Sequence, residues 1–152
     1  MAKVCCFTGH RKFFDDEGRL CAALDKLLRS LIERGYDTFR VGGALGFDML
    51  VADEVLYMKK EYPQIKLHIY TPCLTQNKYY TKEQNERYLA QLNAADKIFC
   101  VSKEYYSGCM QKRNRALVDG ADFCVAYLRH SGGGTDYTVR YAEQNGVYVE
   151  RL

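Results

Sequence analysis

Short apolar runs alternate with longer stretches of helical periodicity along most of this 152-residue sequence. The runs lie at Val4–Phe7, Phe39–Val41, Ile65–Tyr70, Ile98–Val101, Phe123–Leu128 and Val147–Val149. Parallel strands need a long crossover between them, usually a helix, whereas antiparallel strands can be joined by a tight turn. The alternation therefore predicts an α/β fold built around a mainly parallel sheet of about six strands.

The helical stretches between these runs carry apolar faces that can pack on a sheet. The clearest face ends before Gly35, a glycine placed as a helix stop. Its members are Leu20, Leu24, Leu27, Leu28, Leu31 and Ile32. Leu89 and Leu92 mark the apolar face of another helix. Because right-handed crossovers bring every strand-to-helix loop to the carboxyl edge of the sheet, the polar residues of these loops are expected to meet there.

Two of these loops are rich in glycine and lie between a strand-like run and a helix-like run. They are Gly42–Asp48 and Gly132–Thr135. A helix start leaves backbone N–H groups unpaired and partly positive, and glycine removes the side chain that would keep a phosphate away from them. The pair of turns predicts a nucleotide or phosphate site, although tight packing of helix on strand also selects glycine at such places.

The composition is that of an ordinary globular domain, with 47% hydrophobic and 27% charged residues. No apolar run approaches the roughly 20 residues needed to cross a bilayer, and the N-terminus lacks the layout of a signal peptide. We expect one domain over residues 1–152, located in the cytoplasm, with no membrane partner. The seven cysteines form no Cys-x-x-Cys pair and are expected to be reduced thiols. The net charge of +3 is too small to indicate a nucleic-acid partner by itself.

The strand-end loops supply side chains suited to a phosphorylated ligand. Threonine hydroxyls can donate to phosphate oxygens, and arginine offers a planar fork for a bidentate contact. The expected ligand-binding residues are Thr8, Gly9, His10, Arg11, Gly42, Gly43, Gly46, Asp48, Thr71, Arg113, Asn114, Gly132, Gly133, Gly134 and Thr135. A surface ion pair is the alternative role for Arg11, and a solvated basic helix face is the alternative for Arg113. No metal site and no required cofactor are predicted.

Three side chains are candidates for catalysis. His10 is suited to contact a ligand, to fix its own loop or to act as an acid or base near neutral pH. Asp48 is expected to cap the following helix, and its alternative role is to accept a hydrogen bond from a ribose hydroxyl or a base amine. The same two roles, helix cap and hydrogen-bond acceptor for the ligand, are the alternatives for Asp136.

Two tyrosine pairs lie near lysines in loops that follow predicted strands. They are Tyr79-Tyr80 and Tyr105-Tyr106. An aromatic face beside positive charge suits a stacked base with its phosphate, and the alternative is that one tyrosine of each pair packs onto the core.

Several motifs together resemble the YpsA/YoqJ-like branch of the SLOG superfamily, which is named for the Smf/DprA and LOG proteins. They are Phe7-Thr8-Gly9-His10-Arg11, Gly42–Asp48, Arg113-Asn114 with Val118-Asp119, Ser131–Thr135 and Thr138–Ala142. The resemblance covers nearly the whole chain. It implies a Rossmann-like three-layer sandwich with a nucleotide or nucleotide-derived ligand over the glycine turns.

The LOG enzymes of this superfamily remove a base from a nucleoside monophosphate with a Pro-Gly-Gly-x-Gly-Thr-x-x-Glu motif and an arginine. Here Ser131 stands in place of the proline and Thr138 in place of the glutamate, and threonine cannot ionise as glutamate does. We therefore expect a binding protein for an ADP-ribose- or NAD-like ligand, with a LOG-like N-glycosidase using Asp48 or Asp136 as the first alternative. A nucleic-acid-binding accessory protein, as in the DprA branch, is the second alternative, and a homodimer is compatible with the resemblance.

Overall fold

The structure, a computed structural model, describes the whole chain, Met1–Leu152. Strands and helices alternate as β1 (Val4–Gly9), α1 (Glu17–Glu33), β2 (Thr38–Val41), α2 (Phe47–Lys59), β3 (Lys66–Cys73), α3 (Lys82–Ala94), β4 (Lys97–Ser102), α4 (Cys109–Val118), β5 (Phe123–Tyr127), α5 (Gly133–Gln144) and β6 (Val149–Arg151). Every predicted strand is present, and the last one starts two residues later than the start of its apolar run.

The six strands form one parallel sheet in the order β4-β3-β2-β1-β5-β6, which confirms the α/β, Rossmann-like prediction. From β1 to β4 the chain moves steadily toward one edge, and it then crosses back to β5 and continues to β6. Right-handed crossovers therefore place α1, α2 and α3 on one face and α4 and α5 on the other.

Two apolar cores lie on the two faces of the sheet. The larger one contains the predicted stripe of α1, with Leu24 and Leu28 fully buried against Phe7 and Phe39 of the strands. The smaller one packs Cys6 of β1 with residues of β5, α4 and α5, namely Cys124, Val118 and Ala142. Since adjacent residues of a strand point to opposite faces, Cys6 and Phe7 tie both cores to β1.

The end of the sheet at β4 differs from the sequence-based expectation. The helix α3 buries Tyr88 and Gln91, whereas Leu89 of its predicted apolar face is 49% exposed. The strand β4 is also open, with Ile98 and Phe99 exposed to 49% and 42%. Both differences arise because β4 is an edge strand, so that apolar periodicity does not by itself bring a residue into the core.

The order of the strands reverses between β1 and β5. The chain leaves β1 toward α1 on one face and leaves β5 toward α5 on the other, so a crevice opens between the two loops at the carboxyl edge. Ligands of open α/β sheets bind at such a point.

None of the five helices combines the length and the hydrophobicity that a membrane crossing requires.

Candidate functional site

A cavity of about 790 Å³ occupies the crevice between β1 and β5. Eleven of the residues expected to bind the ligand line it: Thr8, Gly9, His10, Arg11, Asp48, Arg113, Asn114, Gly132, Gly133, Gly134 and Thr135. The other four, Gly42, Gly43, Gly46 and Thr71, are not in its lining. The structure thus brings together side chains from loops that are more than 100 residues apart in sequence.

The second glycine turn forms the open end of this cavity at the start of α5. Gly132 and Gly133 have positive φ angles of 81° and 80°, and no atom lies within 4 Å of the place where a Cβ would be. The N–H groups of Gly133, Gly134 and Thr135 begin the helix and donate no backbone hydrogen bond. This turn therefore has both the unpaired donors and the free space that an anion needs.

Two threonine hydroxyls lie in the same cavity without a hydrogen-bond partner in the protein. Thr8 ends β1, Thr135 begins α5, and each residue is only 7% exposed. Neither hydroxyl is engaged by another group of the chain, and both residues line the cavity. Since neither oxygen is among the enclosed side-chain atoms that lack a partner, both hydroxyls open into the cavity and are free to bind water or a ligand there.

Arg113 lies behind the cavity and is anchored by the first glycine turn. Its Nη1 donates to the carbonyl oxygen of Gly42 at 2.6 Å, and also to the Tyr70 carbonyl and the Gln76 side chain. Burial lowers the pKa of Arg113, and the charge of Asp48 opposes that shift. The guanidinium is 4% exposed, so it is a fixed positive charge at the wall of the cavity and not part of a solvated helix face.

Asn114 is oriented by its neighbour. Its Oδ1 accepts a hydrogen bond from Nε of Arg113 at 2.8 Å, which leaves the Nδ2 donors on the other side of the amide. That nitrogen lies 3.5 Å from the place where a Cβ on Gly134 would be. Asn114 therefore presents N–H groups beside the second glycine turn.

Asp48 is the one carboxylate that lines the cavity, and its role differs from the expected helix cap. Gly46 occupies the capping position of α2, and Oδ2 of Asp48 accepts a hydrogen bond from the Ala44 N–H at 3.2 Å, within the preceding turn. The residue is 6% exposed. Burial raises the pKa of Asp48 to about 6, although the charge of Arg113 and the turn's N–H groups oppose the shift.

Asp136 is directed away from the main cavity. Its Oδ2 accepts from the Gly132 N–H at 2.8 Å, and its Oδ1 pairs with Arg140. The Gly132 hydrogen bond is the main reason that the pKa of Asp136 is lowered. The carboxylate thus stabilises the second glycine turn and lines a separate groove on α5.

The first glycine turn is packed against protein atoms. A Cβ on Gly46 would lie 2.1 Å from the Arg11 carbonyl oxygen, and one on Gly9 would lie 2.3 Å from the Phe47 ring. Gly43 accepts a hydrogen bond from the hydroxyl of Tyr80 on its carbonyl oxygen. These glycines allow the loops after β1 and β2 to approach each other closely.

Of the tyrosine pairs, Tyr80 packs inward against the ring of Tyr88, while Tyr79 is 87% exposed. Tyr105 and Tyr106 are both exposed, at 65% and 42%.

The cavity is also lined by residues that the sequence did not single out. The helix α4 contributes Met110, Gln111 and Leu117, and the remaining wall includes His130 and Tyr137. The available signal in the sequence was Gly108, a glycine placed directly before a helix. In the structure it precedes α4 and has a φ of 98°.

The parallel sheet with a ligand-sized cavity at the reversal of strand order defines a Rossmann-like α/β protein. Residues 5–148 match the family model YpsA, described as the YspA SLOG family, and the chain belongs to that family. This is the family that the motifs predicted.

Curated relatives are similar along most of their length. A UPF0398 protein of Bacillus cereus (strain B4264) is 29% identical over 155 residues, which cover 95% of this chain and 84% of the relative. UPF0398 proteins of Bacillus anthracis (strain A0248) and Bacillus thuringiensis (strain Al Hakam) are each 28% identical with the same coverage.

Two solved structures share the fold. One describes the single-stranded DNA binding mode of DNA processing protein A from Helicobacter pylori, with a TM-score of 0.72 and 19% identity. The match covers 99% of this chain and 65% of that chain, so this protein spans somewhat under two thirds of the length of the Helicobacter pylori chain. The other is the X-ray structure of the structural-genomics target TM1055, with a TM-score of 0.60 and 18% identity, covering 97% and 72% of the two chains.

Proposed function

We propose that the cavity binds a nucleotide or nucleotide-derived ligand of the ADP-ribose or NAD type, and that the second glycine turn holds a phosphate. The observation that carries the proposal is the pair of unpartnered hydroxyls of Thr8 and Thr135, which open into the cavity beside the unpaired N–H groups of Gly133 and Gly134. Hydroxyls and helix-start amides are all donors to an anion, and here they line one cavity.

The charges around the cavity support the same ligand class. Arg11 lines it with a side chain that makes no hydrogen bond or ion pair within the chain, and Arg113 adds a buried positive charge. A cavity of about 790 Å³ lies within the range of roughly 300–1,000 Å³ usual for small-molecule sites. Its volume and donors suit a phosphate attached to a larger group better than a free phosphate ion.

The proposal is tested by a thermal-shift screen against AMP, ATP, NAD, ADP-ribose, cyclic nucleotides and free bases. A ligand at 100 times its dissociation constant stabilises the folded state by about 2.7 kcal/mol, which raises the midpoint by several degrees. We expect a shift with at least one phosphorylated compound and none with free bases. The absence of a shift with every nucleotide in the panel would contradict the proposal.

Matched threonine variants test whether the hydroxyls that line the cavity bind the ligand. Thr8→Val and Thr135→Val remove one hydroxyl each at nearly constant volume and should weaken binding of the active compound by about tenfold. Thr71→Val is the control, because Thr71 is equally buried, at 4% exposure, but does not line the cavity. Equal losses in all three variants would place the phosphate elsewhere.

A second candidate function is hydrolysis of an N-glycosidic bond. It is favoured by Asp48, whose pKa is raised to about 6 by burial and which is the one carboxylate in the cavity lining. A carboxylate so placed can stabilise positive charge that develops on a ribose. Thr138 cannot replace it, since its hydroxyl is buried and donates to the Gly134 carbonyl oxygen.

Chromatography distinguishes binding from hydrolysis. After incubation with AMP or NAD, a binding protein leaves the ligand intact, whereas a hydrolase releases adenine or nicotinamide. The Asp48→Asn variant should abolish such release and Asp136→Asn should retain it, because Asp136 faces another groove.

Nucleic-acid binding is the third candidate, and it rests on two observations. The structure of DNA processing protein A, which shares the fold, concerns single-stranded DNA. Here the exposed rings of Tyr79 and Tyr105 lie in loops that also contain Lys78 and Lys103. Binding of a short DNA oligonucleotide that weakens steeply with salt would support this candidate.

A further inference from the structure

His10 is buried where the loop after β1 meets the end of β5. It is 8% exposed, its backbone N–H donates to the Tyr127 carbonyl oxygen, and its carbonyl oxygen accepts from the Phe47 N–H. The imidazole stacks on that of His130 with a centroid separation of 4.1 Å and an interplanar angle of 10°. The Phe14 ring stands at 78° to both imidazoles, with centroid separations of 5.4 and 5.5 Å. These contacts fix the plane of the His10 ring.

A backbone hydrogen bond determines which nitrogen of His10 carries the proton. The Arg129 N–H donates to Nε2 of His10 at 2.8 Å, so Nε2 must present its lone pair. A neutral imidazole that accepts at Nε2 carries its hydrogen on Nδ1. No group of the protein accepts a hydrogen bond from Nδ1, and His10 lines the cavity.

The surroundings keep this imidazole neutral. Burial lowers the pKa of His10, and the nearby His130 and Arg129 lower it further. Asp15, in the loop after β1, is bound to the Tyr127 hydroxyl and to Arg129. The other charged groups that face the cavity are Arg11, Asp48 and Arg113.

We propose that His10 is a fixed, neutral hydrogen-bond donor to the bound ligand, with Nδ1–H directed at an oxygen or ring-nitrogen acceptor. This inference rests on the proposed nucleotide site and assigns one contact within it. It also excludes His10 as a general base, because its single lone pair is used by the Arg129 N–H. A ligand therefore needs an acceptor at that position, such as a ribose hydroxyl, a phosphate oxygen or a ring nitrogen.

The same hydrogen bond couples the site to pH. Protonation at Nε2 replaces the lone pair with a second N–H, which cannot accept from Arg129. The segment from Arg129 into the second glycine turn then loses its anchor to His10. Because Nδ1 keeps its hydrogen in both forms, we expect ligand affinity to fall by no more than about threefold when His10 becomes protonated in acid.

The tautomer is measured first, on the free protein, by long-range proton–nitrogen NMR of the three histidine side chains. The expected signals show protonated Nδ1 and unprotonated Nε2 in His10 at pH 7.5. A His10 with its proton on Nε2 would overturn the proposal whether or not any nucleotide binds.

Two amide substitutions then test the two nitrogens of His10 one at a time, with ADP-ribose and AMP as probes. Glutamine places an acceptor near the Nε2 position, so His10→Gln keeps the Arg129 contact and loses the donor at Nδ1. Asparagine places an amide near the Nδ1 position, so His10→Asn keeps the donor and loses the anchor. We expect His10→Gln to weaken the bound probe about tenfold and His10→Asn to weaken it by no more than about threefold.

The outcomes distinguish this inference from the proposed function. If a probe shifts the amide signals of Gly133 and Thr135 but leaves Nδ1 of His10 unchanged, the ligand site stands and the donor role of His10 is wrong. Unchanged affinity in His10→Gln has the same meaning. If no probe shifts any of these signals, the nucleotide site itself fails, and the assignment of His10 as a ligand donor fails with it.

Discussion

Asp48 shows how a buried carboxylate can lower stability. Its carboxylate is buried beside Gly42, where a Cβ would lie 2.8 Å from both its Oδ2 and Nη1 of Arg113. No direct ion pair joins Asp48 to Arg113. Burial dominates, and the pKa of Asp48 is raised to about 6.

This pKa has a defined effect on stability. Because the folded state holds the proton more tightly than the unfolded chain, stability falls as the pH rises from about 4 to about 6. We expect Asp48→Asn, which keeps an acceptor for the Ala44 N–H, to stabilise the protein by up to about 3 kcal/mol at pH 8. The gain should disappear near pH 3, where Asp48 is mostly protonated in both states. Thermal unfolding at the two pH values measures it.

Asp136→Asn is the control for this prediction. Its pKa is lowered by the Gly132 N–H and by Arg140, so neutralising it should not stabilise the protein at pH 8. Equal stabilisation by both substitutions would mean that net charge, and not burial of Asp48, is responsible.

Gly46 is required because of the neighbouring backbone. Its φ is 80°, and a Cβ would lie 2.1 Å from the Arg11 carbonyl oxygen. Gly146 has a similar φ of 75° with no atom within 4 Å, so it isolates the strain of the backbone conformation. We expect Gly146→Ala to lower the free energy of unfolding by about 1 kcal/mol and Gly46→Ala by at least about 3 kcal/mol. Urea denaturation of both variants tests this, and similar losses would contradict the close packing of the two loops.

At the scale of elements, hydrogen bonds to β2, β3 and the turn after β2 hold α4 near both of its ends. Near its start, Arg113 reaches the carbonyl oxygens of Gly42 and Tyr70. At its end, Nη1 of Arg40 from β2 donates to the carbonyl oxygens of Leu117 and Asp119 at 3.1 and 2.6 Å. The helix that supplies Arg113 to the cavity is thus positioned by the strands.

We expect Arg40→Met to lower the free energy of unfolding by about 1–3 kcal/mol, because hydrogen bonds from a charged donor to the last carbonyls of α4 are lost. Hydrogen exchange should increase in α4 more than in α1. Arg87→Met is the control, since Arg87 makes an exposed ion pair with Asp53 and should change stability by less than about 1 kcal/mol. Equal losses of stability in the two variants would show that Arg40 does not cap α4.

At the scale of the whole molecule, β1 joins the two cores through Cys6 and Phe7. Neither face of the sheet can lose its helices without exposing apolar surface of that strand. The single domain over residues 1–152 that the sequence predicted is therefore expected to unfold in one cooperative step.

Two probes test this cooperativity. Far-ultraviolet circular dichroism follows the helices, and intrinsic fluorescence follows the 13 tyrosines, since the chain has no tryptophan. We expect both signals to give the same denaturation midpoint. Separate midpoints would show that the layer of α4 and α5 unfolds independently.

Most of the architecture was predictable from the sequence because it follows from local patterns. The apolar stripe of α1 is buried as expected, and the glycine-rich loops connect strands to helices. The face of α3 was less predictable, since whether Leu89 or Gln91 is buried depends on where the helix lies relative to the edge strand.

The amino-acid sequence by itself determined the alternation of strands and helices, the family, and the edge of the sheet at which polar loops meet. Only the tertiary structure decided that the turn at Gly132 opens into the cavity while the turn at Gly46 packs against Arg11. It also decided that Asp48 accepts from its own turn and that Arg129 fixes the tautomer of His10. The reason is physical. Periodicity and glycine conformation are local properties, whereas the freedom of a donor depends on which distant backbone atom comes within hydrogen-bonding distance.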